Sequence, residues 1–320
     1  MKTSLAKHLY VFNVLDLMLE ESKFKNLKYK CIWFGLEESL EEFQCSVLQY
    51  ALSKYYEVYV TQDELLSRIN PLRDEVERLI ESEKVKNYYQ KCFEIVDFQD
   101  SISNPTGIFK HCRDYSNQIG VHHYKNIEID KEDVSVYSNY VQNDKELIVA
   151  VVIDNVNILA PEKNHLGTTL NLDGSIDLLV NHYMRKQVTK HWKWHVCCLQ
   201  QQQMAGGDIN HMKMDMLEPS PQKLGDNIKV ARSYQIIIGL HSPYKHKKAT
   251  YLGYQILNKE GTPGLEDCYR SLHLLKNRFG RTGTVESLFF NPKGFFFKSL
   301  PQFNDISFQD IIKLKQNVLA

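Results

Sequence analysis

Two apolar runs that each end in a polar residue constrain the fold of this 320-residue chain more than any other feature. The run IVAVVIDNVNIL (148–159) predicts a strand that ends at Asp154, and HVCCLQ (195–200) predicts another that ends at Gln200. Short, nearly continuous apolar runs are typical of strands buried on both faces, as in parallel sheets covered by helices. The sequence therefore predicts an α/β sheet with polar side chains at its edge.

A third run, LHLLKNRFGRTGTV (272–285), predicts a strand that brings Lys276 and Arg278 to its end, just before a turn that contains Gly280. An aspartate at a strand end can bind Mg²⁺, and an arginine supplied by a neighbouring subunit can neutralise phosphate charge. In this order the three runs indicate an ATP-driven motor domain. Two cations near a strand end are otherwise typical of a solvated face, and that alternative stays open.

The first residues fit the same interpretation. Lys2 and Thr3 precede the amphipathic helical run SLAKHLYVFNVLDLMLEE (4–21). The phosphate-binding motif G-x-x-x-x-G-K-[ST] ends in these two residue types, and its helix begins at the lysine. Met1 stands where the last glycine of the motif belongs, and the sequence has no glycine before Gly35. An ordinary exposed lysine is the alternative for Lys2.

Strands and helices alternate along the rest of the chain. Ser39 and Thr61 each stand three residues before a Glu, which predicts two helix starts. Residues 121–146 are polar and predict a loop or small insertion. The sheet core is expected from strands 30–36, 148–153, 194–199 and 234–240, followed by strands at 250–257, 270–277 and 284–290 and a hairpin toward Phe297.

Composition excludes some classes of protein. The 39 basic and 39 acidic residues balance, so any nucleic-acid contact must be local, unlike the contact of a protein whose whole surface is basic. No apolar run of about 18 residues is present, so no membrane-spanning helix is expected. The seven dispersed cysteines, with no C-x-x-C, predict reduced core thiols and a cytoplasmic protein.

Taken together, the motifs resemble the C-terminal motor domain of DnaB-type replicative helicases, including the motor of phage primase-helicases. The K-x-R-x-G-x-x-G-x-V pattern in LLKNRFGRTGTV (274–285) is the most specific match. The resemblance covers nearly the whole chain, although residues 57–145 match only in general layout. The other matching segments are Lys2-Thr3, WFGLEESLEEF (33–43), VVIDNVNIL (151–159) and CCLQ (197–200).

The resemblance implies an α/β fold with a RecA-like P-loop NTPase core, in which helices flank a mostly parallel sheet and the C-terminal strands are antiparallel. It implies one motor domain over residues 1–320, with 57–145 as a helical, variable insertion region. The family's N-terminal domain and most of its phosphate loop lie outside the sequence. Without the loop's glycines, we expect weak binding of ATP and a small thermal shift with Mg-ATP.

The resemblance also implies residue roles. Glu37 acts as the catalytic base, Gln200 senses the γ-phosphate, and Arg278 with Lys276 reaches the neighbouring subunit's site. ATP and Mg²⁺ are the implied cofactors. Lys2, Thr3 and Asp154 bind the nucleotide, and both Thr3 and Asp154 bind the metal.

The implied activity is that of an ATP-dependent DNA helicase, a homo-hexameric ring that moves along single-stranded DNA. Primase and other replisome proteins are the further partners implied by the resemblance. Two loops, 160–174 and 201–227, are placed to bind the DNA backbone, with Lys163, Lys213 and Lys223 as contacts. A recombinase-like ATPase and an ATPase-inactive module that binds DNA or helicase subunits stay open as alternatives.

Overall fold

The computed structural model describes residues 1–20, 22–69, 71–129, 132–163, 167–201, 218–221, 228–260 and 263–319. The α-helices described, numbered α1 to α10 in chain order, are Lys2–Lys7, Asn13–Glu20, Leu40–Tyr56, Gln62–Leu65, Asp74–Ile80, Glu83–Ile95, Pro105–Ile119, Leu172–Asp177, Ile228–Ala231 and Phe308–Leu319. The π-helical segments His8–Phe12 and Leu178–Thr189 continue α1 and α8. Among the described residues, no helix is long and apolar enough to cross a membrane.

The strands described are numbered in the same way. From β1 to β12 they are Tyr29–Gly35, Val96–Gln99, Gly120–Ile129, Glu132–Gln142, Ile148–Asp154, His195–Cys198, Ile236–His241, Thr250–Tyr251, Tyr254–Gln255, Tyr269–Asn277, Val285–Asn291 and Phe296–Ser299. They belong to two compact units, which we call the parallel-sheet unit and the antiparallel-sheet unit. The first consists of Val14–Leu40 and Phe93–Gln201, and the second of Met1–Asn13, Glu41–Cys92 and Gln202–Ala320. One motor domain over 1–320 remains a prediction.

The parallel-sheet unit is built on four strands in the order β2-β1-β5-β6, and each neighbouring pair is parallel. The two central strands are almost wholly buried, as their continuous apolar sequences predict. α7 begins with Pro105 in its first turn, where a missing N–H has no cost, and packs on the π-helical segment Leu178–Thr189. In that contact the rings of Phe109 and Tyr183 stack with centroids 4.4 Å apart.

Residues 121–146 do not form the predicted loop. β3 and β4 pair as an antiparallel hairpin from Gly120↔Gln142 to Ile129↔Glu132. One end of the hairpin packs on the buried ring of Trp192, which lies 5.5 Å from the His122 ring and 6.2 Å from the Tyr140 ring. The prediction was wrong because most hairpin side chains are exposed, so charged residues interrupt the alternation by which a half-buried strand is recognised.

The antiparallel-sheet unit has a four-stranded sheet in the order β12-β11-β10-β7. The predicted core strand 234–240 corresponds to β7, which pairs antiparallel with β10 and is absent from the parallel sheet, whose edge strand is β2. Ile236 and Ile238 on β7 are nearly half exposed, so the apolar run III does not mark a strand buried on both faces. The predicted mixture of a parallel sheet, flanking helices and antiparallel C-terminal strands is confirmed.

A hydrophobic cluster and a buried arginine support the antiparallel sheet. Arg270 on β10 is fully buried, and its guanidinium donates to the Tyr269 carbonyl at 2.6 Å and to the Asp267 carboxylate at 2.8 Å. A buried charge of this kind needs such partners to offset its lost hydration. The buried members of the cluster are Tyr254, Ile256, Leu265, Cys268, Tyr269, Phe289, Leu300 and Ile311.

In the same unit, Thr61 begins α4 as predicted. Its hydroxyl accepts the Glu64 N–H at 3.2 Å, which satisfies one of the unpaired donors of the first turn. The Glu64 carboxylate pairs with Arg73, so this acidic side chain also ties α4 to the residue before α5.

Candidate functional site

The carboxyl ends of β1 and β5 lie side by side in the parallel-sheet unit. The strand register pairs Gly35 with Asp154. The Asp154 carbonyl accepts the N–H of Leu36 at 2.6 Å and the N–H of Glu37 at 3.3 Å. The residues predicted as Mg²⁺ ligand and as catalytic base therefore meet at one edge of the sheet. Ligands of open α/β sheets bind outside this edge.

Gly35 is required where β1 reaches this edge. A Cβ atom built on Gly35 would lie 2.4 Å from Cζ of Phe98 on β2 and 2.9 Å from the Glu38 carbonyl oxygen. Both distances are shorter than real Cβ contacts, so any other residue would displace the Phe98 ring or the backbone that follows. The sequence WFGLEE thus places a glycine two residues before Glu37 for a packing reason.

The two carboxylates differ in exposure. Asp154 is 1% exposed at the end of β5, whereas the side chain of Glu37 is exposed in the turn after β1. A carboxylate fixed on a strand end suits a metal ligand, because Mg²⁺ requires oxygen ligands in a near-ideal geometry. An exposed carboxylate beside it suits a group that takes a proton from a bound water.

Two amide side chains hold Glu37. The buried Asn155 donates from Nδ2 to the Glu37 Oε1 at 2.6 Å, and Gln201 donates from Nε2 to the same oxygen at 3.1 Å. Asn155 and Gln201 were not among the residues predicted from the sequence. Their position directly after a strand that ends in a predicted site residue is the one signal that could have identified them.

Gln200, the predicted γ-phosphate sensor, lies at the end of β6 next to β5. The Leu199 N–H donates to the Ile153 carbonyl at 2.9 Å, which continues the pairing of the two strands. The side-chain amide of Gln200 is buried, and neither its oxygen nor its nitrogen has a hydrogen-bond partner within the described ranges. A buried amide without partners is costly unless a ligand or water satisfies it. Gln200 keeps its predicted role, and Gln201 contacts Glu37.

The other predicted catalytic cations lie in the antiparallel-sheet unit. Lys276 ends a bulged part of β10, and its Nζ donates to the Ala231 carbonyl at 2.9 Å and to the Arg232 carbonyl at 3.0 Å. Arg278 donates from Nη2 to the same Arg232 carbonyl at 2.7 Å. The carbonyls at the end of α9 thus hold both cations, in keeping with the negative end of a helix dipole.

Lys2 and Thr3 begin α1, also in the antiparallel-sheet unit. Their predicted closeness to Asp154 and Glu37, within about 10 Å as a shared metal and phosphate site requires, remains a prediction.

Lys163 is the predicted DNA contact that falls within the described residues. It is exposed and forms an isolated bridge with Thr169 at the base of the loop that follows β5. Its neighbour Glu162 fixes that loop by accepting the Asn104 amide at 2.9 Å and the Thr106 N–H at 3.0 Å. Partial burial raises the pKa of Glu162, but the hydrogen bonds from Thr106 and Asn104 outweigh it and lower the pKa overall. Lys213 and Lys223 lie outside the described residues.

The donor groups of these residues match a magnesium-bound nucleotide in part. The Asp154 carboxylate and the Thr3 hydroxyl are oxygen ligands of the type that Mg²⁺ prefers, and Lys2 is a point charge suited to phosphate. The unsatisfied amide of Gln200 adds a polar group at the same sheet edge as Asp154. The chain supplies no glycine before Gly35, so a glycine-rich phosphate cradle is not part of this sequence.

The parallel sheet with flanking helices and added antiparallel strands defines a RecA-like α/β fold. Among solved structures, the chain is similar to the ATPase domain of a DnaB-like replicative helicase, with a TM-score of 0.54 and 14% sequence identity over 85% of this chain and 75% of that chain. It is also similar to a DnaB-like replicative helicase studied for its interactions with primase, with a TM-score of 0.57 and 14% identity over 85% of this chain and 51% of that chain.

The chain spans about half the length of this second helicase chain. No protein-family model matches the sequence, and no curated protein is similar to it. At 14% identity the structural similarity establishes the fold, and the function has to be argued from the site.

Proposed function

We propose that this chain is the motor domain of a DnaB-type replicative helicase, which hydrolyses ATP to move along single-stranded DNA. One observation carries the proposal: Glu37 and Asp154, the two acidic residues that the chemistry requires, end neighbouring parallel strands and share backbone hydrogen bonds. The fold similarity to two helicase motor structures supports it.

The chemistry assigns separate tasks to the residues at the sheet edge. Asp154, with Thr3, would hold Mg²⁺, which when bound neutralises charge on the phosphate oxygens. Glu37 orients the attacking water and accepts its proton, and a positioned base of this kind contributes about 10²–10⁴ in rate. Gln200 contacts the γ-phosphate through its amide.

Arg278, with Lys276, acts on the site of a neighbouring copy of the chain. Cations supplied in this way stabilise the charge of the transition state and contribute about 10³–10⁵ in rate. The proposal therefore includes a homo-hexameric ring with ATP bound between subunits. Primase and other replisome proteins are its proposed partners, in line with the helicase structure described together with primase.

Single-stranded DNA is bound through its backbone by loops that follow β5 and β6, with Lys163 as one contact. A backbone contact suits a motor that must move over any sequence, because phosphates carry no base identity. Balanced overall charge is compatible with this, since the basic residues needed are local.

The test measures ATP hydrolysis with and without single-stranded DNA, and the unwinding of a forked duplex. Both the 320-residue chain and a version with a glycine-containing phosphate loop ahead of Lys2 are assayed. We expect DNA-stimulated hydrolysis that Glu37→Gln abolishes and that Glu41→Gln, an exposed acidic control at the start of α3, preserves. Hydrolysis that is absent from both versions, or equal in Glu37→Gln, would refute the helicase proposal.

Sedimentation of the same samples with nucleotide tests the ring. A hexamer is expected, and a monomer at all concentrations would contradict hydrolysis between subunits. DNA binding without hydrolysis in either version would instead favour an ATPase-inactive binding module.

A further inference from the structure

A closed ring of four hydrogen bonds joins the residues that follow three strands of the parallel sheet. Asn155 and Gln201 both donate to Oε1 of Glu37, at 2.6 and 3.1 Å. Asn155 accepts the Asn157 N–H on Oδ1 at 2.8 Å, and Asn157 accepts the Gln201 N–H on its own Oδ1 at 2.7 Å. We call these four residues, Glu37, Asn155, Asn157 and Gln201, the amide ring.

The ring fixes an otherwise exposed carboxylate. Glutamate has three rotatable side-chain bonds, and an exposed one samples several rotamers. Here Asn155 is fully buried, so its amide is fixed by packing, while Gln201 is anchored by its own backbone. Among the described residues, both hydrogen bonds to Glu37 end on Oε1. The second oxygen, Oε2, is left for a bound water.

We propose that Asn155 and Gln201 are positioning residues that hold the Glu37 carboxylate by one oxygen so that the other can accept a proton. This inference rests on the proposed function of Glu37 as catalytic base. It assigns roles to two residues that touch neither the nucleotide nor the metal. Misplacing a reacting group by about 1 Å can cost about 10²-fold in rate, so the ring contributes through geometry.

The first experiment reverses the polarity of one bond in the 320-residue chain. Asn155→Asp keeps the Oδ1 that accepts the Asn157 N–H but removes the donor to Glu37 and places two carboxylates together. We expect it to lower Tm by about 3 °C or more, as for a lost charged hydrogen bond. Adding Glu37→Gln supplies an amide that donates in the opposite direction, so the double variant should recover most of the lost Tm.

Asn181→Asp serves as the matched control for this experiment. Its Nδ2 donates to the Asp177 carboxylate at 2.5 Å, in the π-helical segment and outside the ring. Adding Glu37→Gln to Asn181→Asp should give no recovery. A double variant at Asn155 and Glu37 that is no more stable than Asn155→Asp alone would overturn the ring.

The second experiment separates binding from catalysis. Asn155→Asp and Gln201→Met, the latter an exposed site with a side chain of similar length, should each lower kcat by about 10- to 100-fold and leave the Kd for ATP unchanged. Unchanged kcat in both variants, with Glu37→Gln inactive, overturns the positioning role alone. Equal hydrolysis by the unsubstituted chain and Glu37→Gln overturns the proposed function, and with it the catalytic use of the ring.

Discussion

The backbone carbonyl of Asp154 accepts the N–H of Leu36 at 2.6 Å, although the two residues follow strands far apart in sequence. The adjacent Glu37 N–H reaches the same carbonyl at 3.3 Å. A turn that is bonded to β5 in this way cannot shift without moving the acidic residue it carries. The position of Glu37 thus depends on backbone geometry at the end of β1 as well as on its side-chain contacts.

This dependence makes Gly35→Ala a sensitive substitution. The new Cβ would meet the Phe98 ring at 2.4 Å and the Glu38 carbonyl at 2.9 Å, so the turn has to move. We expect a loss of about 1–3 kcal/mol in the free energy of unfolding, typical of overpacking, measured by urea denaturation. ATP hydrolysis should fall further than stability alone explains, because Glu37 is displaced.

A second substitution tests whether the Phe98 ring is the cause. Phe98→Leu removes the ring atoms nearest to Gly35 and should restore part of the stability lost in Gly35→Ala. Additive losses in the double variant would show that the contact with Phe98 does not determine the effect.

A different prediction concerns the cations near the end of β10. With a glycine-containing phosphate loop ahead of Lys2, Arg278→Ala should abolish DNA-stimulated hydrolysis and leave ATP binding nearly intact. The reason is that a cation supplied in trans acts on the transition state and adds little to ground-state affinity. Arg281→Ala, in the same turn and exposed, is the matched control and should retain activity.

Mixing variants tests whether the site is shared between subunits. Arg278→Ala and Glu37→Gln are each inactive for different reasons, so a mixed ring contains some interfaces with both residues intact. Partial turnover is expected at intermediate ratios in a steady-state assay. Failure to recover activity at any ratio would argue against sites formed between subunits.

The proposed DNA contact at Lys163 predicts a change in salt dependence. If Lys163 neutralises one phosphate, Lys163→Ala should lower the slope of log K against log salt concentration by about 0.7 for single-stranded DNA. The loss should be equal for different base sequences, because the contact is to the backbone. Fluorescence anisotropy at several salt concentrations measures both quantities.

Lys84→Ala, an exposed lysine of α6, is the control for this measurement. An identical slope for Lys163→Ala and the unsubstituted chain would exclude Lys163 from the DNA contact.

Some parts of this fold were readable in the sequence because one local signal sufficed. β1, β5 and β6 are short apolar runs followed by polar residues, and that pattern is typical of buried parallel strands wherever it occurs. The acidic residues Glu37 and Asp154 follow directly from the same pattern. The meeting of their strands at one edge follows from parallel pairing.

Other parts depend on contacts that no local pattern encodes. Asn155 bonds Glu37 from 118 positions away, and a lone asparagine after an aspartate gives no sign of that partner. Similarly, β7 has the composition of a core strand, and only its pairing with β10 assigns it to the antiparallel sheet. Which of Gln200 and Gln201 contacts Glu37 is decided by backbone geometry after β6.

The last prediction concerns stability against pH and the pair Asp97 and His111. His111 Nε2 lies 2.7 Å from the Asp97 Oδ2, and the histidine ring meets the buried Phe34 ring edge-on with centroids 5.7 Å apart. The hydrogen bond with His111 lowers the pKa of Asp97 and outweighs the opposing effect of burial, while a bond from Gln99 lowers it further. A carboxyl with a depressed pKa in the folded state stabilises the fold above its unfolded pKa, and this contribution disappears as pH falls through the folded value.

Asp97→Asn should therefore destabilise the protein by about 1–3 kcal/mol near neutral pH, as expected for a lost hydrogen bond to a charged group. The difference from the unsubstituted chain should shrink below about pH 4, where the unfolded chain's aspartates are protonated. Urea unfolding at intervals between about pH 3 and 7 measures it. Asp133→Asn, an exposed hairpin residue, should change stability little at any pH. A destabilisation by Asp97→Asn that stays constant over this range would mean that packing, rather than the ionised carboxylate, sets the contribution of Asp97.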